Sequence, residues 1–402
     1  MIKVAVLGYG TVGSGVVQVI QDNNALIAGR IKEGIEVKYI LDLREFPGDK
    51  NEGLVVHDVK TIMDDPEIDI VCETMGGAGA AYEFTKAALN AGKSVCTSNK
   101  ELVEKHGPEL ISLARKNNCN YLFEASVGGG IPIIRPINTS LAPECIESIK
   151  GILNGTTNYI LTKMAAEGAA YEDVLKKAQE LGYAESDPTA DVEGHDAGRK
   201  IAILASLVTG KTVAFEDVHT EGITGIEAVD LKFAESMDKS IKLIARADRD
   251  KDGRVSAIVA PHMLGADHPL ARVDDVFNAI FVTGNMLGDV MFYGKGAGKL
   301  ATASAVVSDV IDAARAKIAG TILPCDWSDE RLELVPCDMN ETCFFIRVAE
   351  SDEAAVKAAI PGAEKIGSID GQAGFVTAPM TAKALNEAVD KSKVSVKIIR
   401  ME

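Results

Sequence analysis

Two stretches of this sequence carry the residue types that chemistry needs, at spacings that chemistry can use. The first is Gly8-Tyr9-Gly10-Thr11-Val12-Gly13. Its first glycine allows a tight turn after a strand, its second lets main chain approach a pyrophosphate, and its third lets helix and strand pack closely. A helix opening near Thr11 would add unpaired N–H groups and its dipole, so the motif reads as a dinucleotide site rather than a packing turn. At the end of the second strand, Asp42 suits a ribose 2′-hydroxyl and hence NAD, whereas Arg44 suits a 2′-phosphate and hence NADP; both readings stand. The second stretch, Gly182 to Lys200, sets five acidic residues, His195 and two bases directly before the apolar run Ile201–Val208. If helical, that run must be buried. Asp196 and Lys200 are four apart and would share a helix face. Spacing alone leaves two readings open, a working acid–base pair or an exposed ion pair of marginal value in a solvated loop. His195 has no evident partner and reads as an ordinary histidine.

These residues need a scaffold. Over residues 1–130, short apolar runs alternate with helical periodicity, the pattern of βαβ units and a parallel sheet. The strands are expected at Ile2–Leu7, Val37–Leu41, Ile68–Glu73, Ser94–Thr97 and Tyr121–Glu124. Helices are expected at Thr11–Asp22, Ala80–Ala91 and Glu101–Asn117, which together make a doubly wound Rossmann-type domain. Residues 131–301 read as an α+β substrate and dimerisation domain, with strands near Ile146–Leu153 and Val255–Leu264 flanking a helical middle between Asn158 and Ala245. A helix over Thr302–Ala319 is expected to return to the first domain. Residues 320–341 read as a linker with some packing of its own. Residues 342–402 follow a βαββαβ order, the ferredoxin-like unit, as a third small domain.

Composition excludes whole classes of function. The 402 residues carry 42 Lys and Arg against 59 Asp and Glu, a net charge of −17 that would repel nucleic acid and anionic lipid. The longest apolar runs fall well short of the roughly 20 residues that span a bilayer. The N-terminus lacks the order of a signal peptide, and the seven cysteines include no C-x-x-C, so reduced thiols in a cytoplasmic protein are expected. Asp248-Arg249-Asp250-Lys251-Asp252-Gly253 begins like a calcium loop, but Val259 stands at the twelfth position, where a bidentate Glu is required. It reads as a charged β-turn.

Over roughly residues 1–318 the chain resembles the homoserine dehydrogenases. The resemblance rests on Gly8–Gly13, Glu73-Thr74-Met75-Gly76-Gly77, Ser98-Asn99-Lys100, Phe123 through Pro132, Asn154-Gly155-Thr156-Thr157-Asn158, Gly182–Lys200, and Gly296-Ala297-Gly298 with Thr302-Ala303-Ser304-Ala305, all in one order. With no segment before Met1 for a fused aspartate kinase, a monofunctional enzyme of threonine and methionine biosynthesis is expected, a homodimer or homotetramer. The resemblance implies that Lys200 transfers the proton, Asp196 binds and orients substrate, and Glu185 takes the substrate ammonium. It places Lys100 where nicotinamide and substrate meet, Gly155, Thr156 and Tyr183 near the substrate carboxylate, and Asp191 in the site wall. Gly8, Gly10, Thr11, Val12, Gly13, Asp42, Arg44, Thr74, Ser98, Gly182 and Gly298 would contact NAD or NADP. Main-chain carbonyls of Glu124, Val127, Gly129 and Ile131 would hold a monovalent cation, usually sodium, for which oxygen is a sensible shell. The other reading of Gly128-Gly129-Gly130 is a bare hinge. The last module resembles the ACT domains that often sense an amino-acid end product, but lacks the Pro-Gly segment that commonly opens their ligand loop; a packing module without ligand is the other reading.

In such an enzyme L-homoserine and L-aspartate 4-semialdehyde interconvert. A lysine at its reference pKa of about 10.4 is almost wholly ammonium at pH 7. Aldehyde reduction is therefore expected to run near neutral pH and homoserine oxidation at alkaline pH. Two other classes compete. Cys96-Thr97-Ser98-Asn99 is similar to the nucleophile segment of phosphorylating glyceraldehyde-3-phosphate dehydrogenases, although it ends a nucleotide-domain strand too early in the chain for that family, and a phosphorylating semialdehyde dehydrogenase would need Cys96 as a reactive thiol; a non-catalytic NAD-binding sensor would use the glycine motif alone.

Overall fold

Strand β1 (Ile2–Leu7) is apolar on both faces apart from Lys3, as a central strand of a covered parallel sheet must be. The computed structural model describes residues 1–402. They form two compact units. The first comprises residues 1–145, 202–215 and 292–332, and the second 146–201, 216–291 and 333–402.

In the first unit β1 pairs with β2 (Ile35–Leu41), and the sheet continues through β3 (Val55–Val56), β4 (Ile70–Glu73), β5 (Ser94–Thr97) and β6 (Tyr121–Leu122). The order is β3-β2-β1-β4-β5-β6, all parallel. It is the doubly wound Rossmann arrangement, with the strand order reversing between β1 and β4, where such sheets bind ligands. There are six strands rather than the five expected, because β3 is a two-residue edge too short to leave a sequence pattern. The helix Lys299–Ala319 packs Val306, Val307 and Val310 against Val16, Val17 and Ile20 of the helix Thr11–Asp22. Gly15 permits that approach, since a Cβ there would lie 2.8 Å from Lys299 O. Part of the expected linker belongs to this unit: Trp327 is buried, donates to Thr212 Oγ1 at 3.0 Å, and leaves no room for a Cβ on Gly107.

β6 stops at Leu122, two residues short of the expected strand end. The Glu124 carboxylate accepts the N–H groups of Ile133, Ile134 and Arg135 at 2.5 to 2.8 Å, so the chain turns through a short 3-10 segment at Glu124–Ser126 instead of extending.

The second unit contributes β7 (Ile146–Ile152), β8 (His219–Thr220), β9 (Lys239–Arg249), β10 (Val255–Gly265), β11 (Phe277–Gly284), the first half of β12 (Gly288–Lys295), β13 (Glu341–Ala349), β14 (Glu364–Ile369), β15 (Gln372–Val376), β16 (Met380–Thr381) and β17 (Lys397–Met401). The main path runs β12-β11-β7-β9-β10-β17-β13-β15-β14. The helical middle ends at Ser236, not Ala245. Residues 239–249 form the long strand β9, buried between β7 and β10, whose pairing overrides local preference. The turn between β9 and β10 is the charged β-turn expected: Gly253 N–H donates to Asp250 O, and the Asp250 carboxylate accepts from Asp252 and Arg254. The last four strands of the main path follow the order of the ferredoxin-like unit, and β17 joins it to β10, so one sheet runs through the second unit. Arg347 on β13 pairs with the wholly buried Asp230 at 2.7 Å and with Glu227 at 2.8 Å, tying the helix Ala228–Ser236 to this sheet.

Candidate active site

The helix Gly155–Glu167 opens on Asn154, whose side-chain oxygen accepts the Thr157 N–H at 2.8 Å. The other end of that amide is the centre of a polar network in the second unit. Asn154 Nδ2 donates to Asp191 Oδ1 at 2.7 Å and to Asp196 Oδ2 at 2.9 Å. Asp196 stands in the first turn of the helix His195–Thr209, and one helical turn on, Lys200 Nζ donates to the same Asp196 oxygen at 2.6 Å and to Leu153 O at 2.7 Å. The Lys200 and Asp196 side chains are only 12% and 7% exposed. The exposed-pair reading of their spacing therefore fails. An ammonium has three N–H bonds, so two held by protein leave one for a substrate oxygen. Ile201–Leu207 behind it is buried, which fixes the helix and with it the amine.

Tyr183 and Thr156 meet at the edge of this network, where Thr156 Oγ1 donates to Tyr183 O at 2.7 Å and the Tyr183 ring packs edge-on against Tyr159 at 5.0 Å. Gly155 and Thr156 open the helix, where main-chain N–H groups have no intrahelical partner. Gly182 takes a φ of 75° and starts the loop that carries Glu185, an exposed side chain. His195 lies at the helix start.

Of the residues expected to contact the coenzyme, all but Gly182 lie in the first unit. A Cβ on Gly13 would fall 1.9 Å from Gly8 O, while a Cβ on Gly10 would meet nothing within 4 Å, so the turn is closed on its inner side and open above Gly10. The helix Thr11–Asp22 has no side-chain cap and no acidic residue in its first turn, which leaves the N–H groups of Thr11, Val12 and Gly13 for an anion. Thr74 Oγ1 donates to the Leu7 and Gly8 carbonyls at 2.9 Å, setting the β4 turn against the glycine turn. Ser98 and Lys100 follow β5, Lys100 as the first residue of a helix capped by Asn99. Gly298, at φ 121°, precedes the helix Lys299–Ala319. Asp42 accepts the Tyr9 N–H at 2.8 Å and a bidentate pair from Arg44 at 2.9 Å, whose guanidinium holds the carboxyl far below the usual range.

The main-chain carbonyls of Glu124, Val127, Gly129 and Ile131 accept none of the backbone hydrogen bonds of their segment, and Gly128 and Gly129 take φ of 74° and 56°. Oxygen atoms left in this way fit a hard cation. The Glu124 side chain is committed instead to its three N–H donors. Cys96 is wholly buried, and burial pushes its thiol far up, so it has no nucleophilic thiolate to offer. Sequence reasoning missed Asn154 as the bridge, although its N-cap position before Gly-Thr-Thr was a usable signal. It also missed Glu73, discussed below.

Residues 8–124 match the homoserine dehydrogenase NAD-binding domain family, and residues 132–311 match the homoserine dehydrogenase family. The homoserine dehydrogenase of Synechocystis sp. is 44% identical over 349 residues, covering 85% of this chain and 79% of that protein. This chain belongs to the homoserine dehydrogenase family. Like other homoserine dehydrogenases it is an NAD(P)-dependent oxidoreductase. A homoserine dehydrogenase structure from Thiobacillus denitrificans is similar at a TM-score of 0.91 and 35% identity, covering 100% of this chain and 98% of that one. A hyperthermophilic archaeal homoserine dehydrogenase in complex with NADPH is similar at a TM-score of 0.65 and 28% identity, covering 78% of this chain and 97% of that one. No helix is long and apolar enough to cross a membrane.

Proposed function

We propose that this homoserine dehydrogenase interconverts L-homoserine and L-aspartate 4-semialdehyde, with Lys200 delivering or removing the hydroxyl proton. The observation that carries the assignment is the Lys200 amine held between Leu153 O and Asp196, with one N–H to spare. The nicotinamide, when bound, supplies or takes the hydride at the terminal carbon. In reduction the Lys200 ammonium gives its proton to the oxygen that gains charge, while Asp196 keeps the amine oriented and partly neutralised. Asn154 keeps Asp196 and Asp191 in place. Glu185 takes the substrate ammonium, and Gly155, Thr156 and Tyr183 receive the carboxylate. Thr74, Ser98, Lys100, Gly182 and Gly298 are assigned to the coenzyme, with Lys100 on its nicotinamide side.

The Asp42–Arg44 pair frames the choice of coenzyme. A 2′-phosphate draws Arg44 away from Asp42, whereas a 2′-hydroxyl needs an Asp42 oxygen that Arg44 now occupies. The four carbonyls at Glu124, Val127, Gly129 and Ile131 are assigned to a sodium-like cation. The exposed Met286, Leu287 and Met291 near the sheet edge at β12 support assembly as a dimer or higher oligomer. Seven cysteines with no disulfide among them fit a reducing, cytoplasmic compartment. The test is the nicotinamide absorbance of the full chain with L-homoserine and either NAD or NADP, run at pH 7 and pH 9.5 and with and without sodium. Turnover that rises with pH supports the reading. No turnover with either coenzyme contradicts it.

A further inference from the structure

Glu73 is the last residue of β4 and none of its surface is exposed. Its Oε1 accepts the Met75 N–H at 2.7 Å and its Oε2 accepts the Thr97 hydroxyl at 2.6 Å. Thr97 Oγ1 in turn accepts the Asn99 N–H at 3.0 Å, and Asn99 Nδ2 donates to Gly77 O at 2.7 Å. One carboxyl thus fastens the turn after β4 to the turn after β5, and the first of these is bonded through Thr74 to the glycine turn. It stands beside the switch point between β1 and β4.

A carboxyl in this position is ill placed to stay charged. Its partners are neutral donors, and a buried carboxylate without a cation loses its hydration for little return. Facing it from β6 is the Tyr121 hydroxyl, buried and without a hydrogen-bond partner; β5 and the segment after β4 offer only Thr97, Met75 and Asn99. Desolvation pushes Glu73 up to about 7, against which the bonds from Thr97 and Met75 pull down. Either state can be bonded: ionised it accepts from Thr97, and protonated it can donate across the same contact.

We propose that Glu73 is a proton-linked positioning residue for the coenzyme, taking one proton from solvent onto its carboxylate as the anionic dinucleotide settles on the glycine turn and returning it on release. Like charges in a water-excluded site repel, so a bound pyrophosphate favours the neutral carboxyl. By linkage the neutral carboxyl favours the bound coenzyme. This rests on the glycine turn being the coenzyme site.

Calorimetric titration of the full chain with NADH and with NADPH, in two buffers of different ionisation enthalpy near pH 7, reads the proton uptake directly. Wild type should take up a measurable fraction of a proton, and Glu73→Gln should take up less by that fraction. Any uptake by the 2′-phosphate itself cancels in the difference between the two proteins. From pH 6 to pH 8.5 the wild-type affinity should fall by about tenfold more than that of Glu73→Gln, as for a shift of one unit in the group's pKa. Thr97→Val, which removes a bond favouring the charged form, should move the midpoint of the effect to higher pH. Equal proton uptake by wild type and Glu73→Gln overturns the proposal, as does an unmoved midpoint in Thr97→Val. If wild type binds neither coenzyme, the coenzyme reading falls and takes this proposal with it.

Discussion

Lys200, the proposed proton carrier, shows how little of such a role would lie in its own side chain. Its two protein bonds go to Asp196, four residues away, and to Leu153 O, which is 47 positions distant. The four-residue spacing was legible in the sequence, as was the buried apolar run that steadies the helix. The Leu153 carbonyl and the Asn154 bridge were not, because folding alone brings them there. Glu73 was illegible for the same reason: its character comes from burial at a strand end, and nothing in its neighbours along the chain signals that. Glu185 differs, being exposed and on a loop, so its assignment predicts a binding effect without a folding effect. Glu185→Ala should raise KM for homoserine by about tenfold or more, the loss of one charge-assisted contact, with kcat and thermal midpoint near wild type. Steady-state kinetics alongside a melting curve check this, and an unchanged KM would remove Glu185 from the ammonium site.

At the scale of elements, the first unit was read closely because parallel strands are continuous apolar runs and its glycine turn lies directly after the first of them. The second unit was read less well. Strand β9 carries Lys242, Arg246 and Arg249 among its apolar residues, and in isolation that mixture fits a helix as readily as a strand. Strands β11 and β12 passed unnoticed: β11 pairs with β7, far back along the chain, and β12 joins the sheet only through β11. The glycine turn yields the sharpest prediction at this scale. A methyl on Gly13 would collide with the Gly8 carbonyl at 1.9 Å and with Thr74 Oγ1 at 2.7 Å, and a main-chain oxygen cannot swing aside. Gly13→Ala should weaken coenzyme binding at least tenfold and cost about 1–3 kcal/mol of stability, the range for overpacking. Coenzyme titration and urea unfolding read the two effects, and wild-type values in both would show that the turn does not need its third glycine.

Over the whole molecule, the two units carry buried titrating groups of opposite sign. His262 on β10 is wholly buried, and its pKa is driven down to about 4, first by burial and then by Arg246. Between about pH 6.5 and pH 4 the unfolded chain therefore binds more protons at this residue than the folded one, so stability falls as pH falls, by up to about 3 kcal/mol. Glu73 in the first unit acts the other way: the folded state binds more protons between about pH 4.5 and pH 7, and stability falls as pH rises through that window. His262→Gln, which keeps an N–H for the Ala260 carbonyl, should lose less stability than wild type between pH 7 and pH 4.5 in urea unfolding; an identical loss would contradict the assignment. The central claim concerns the amine at position 200. Hydride transfer measured in a single turnover, with coenzyme prebound and homoserine in excess, should be about 10² to 10⁴ times slower in Lys200→Ala than in wild type, with coenzyme affinity unchanged. Transfer at the wild-type rate in that variant would contradict the account.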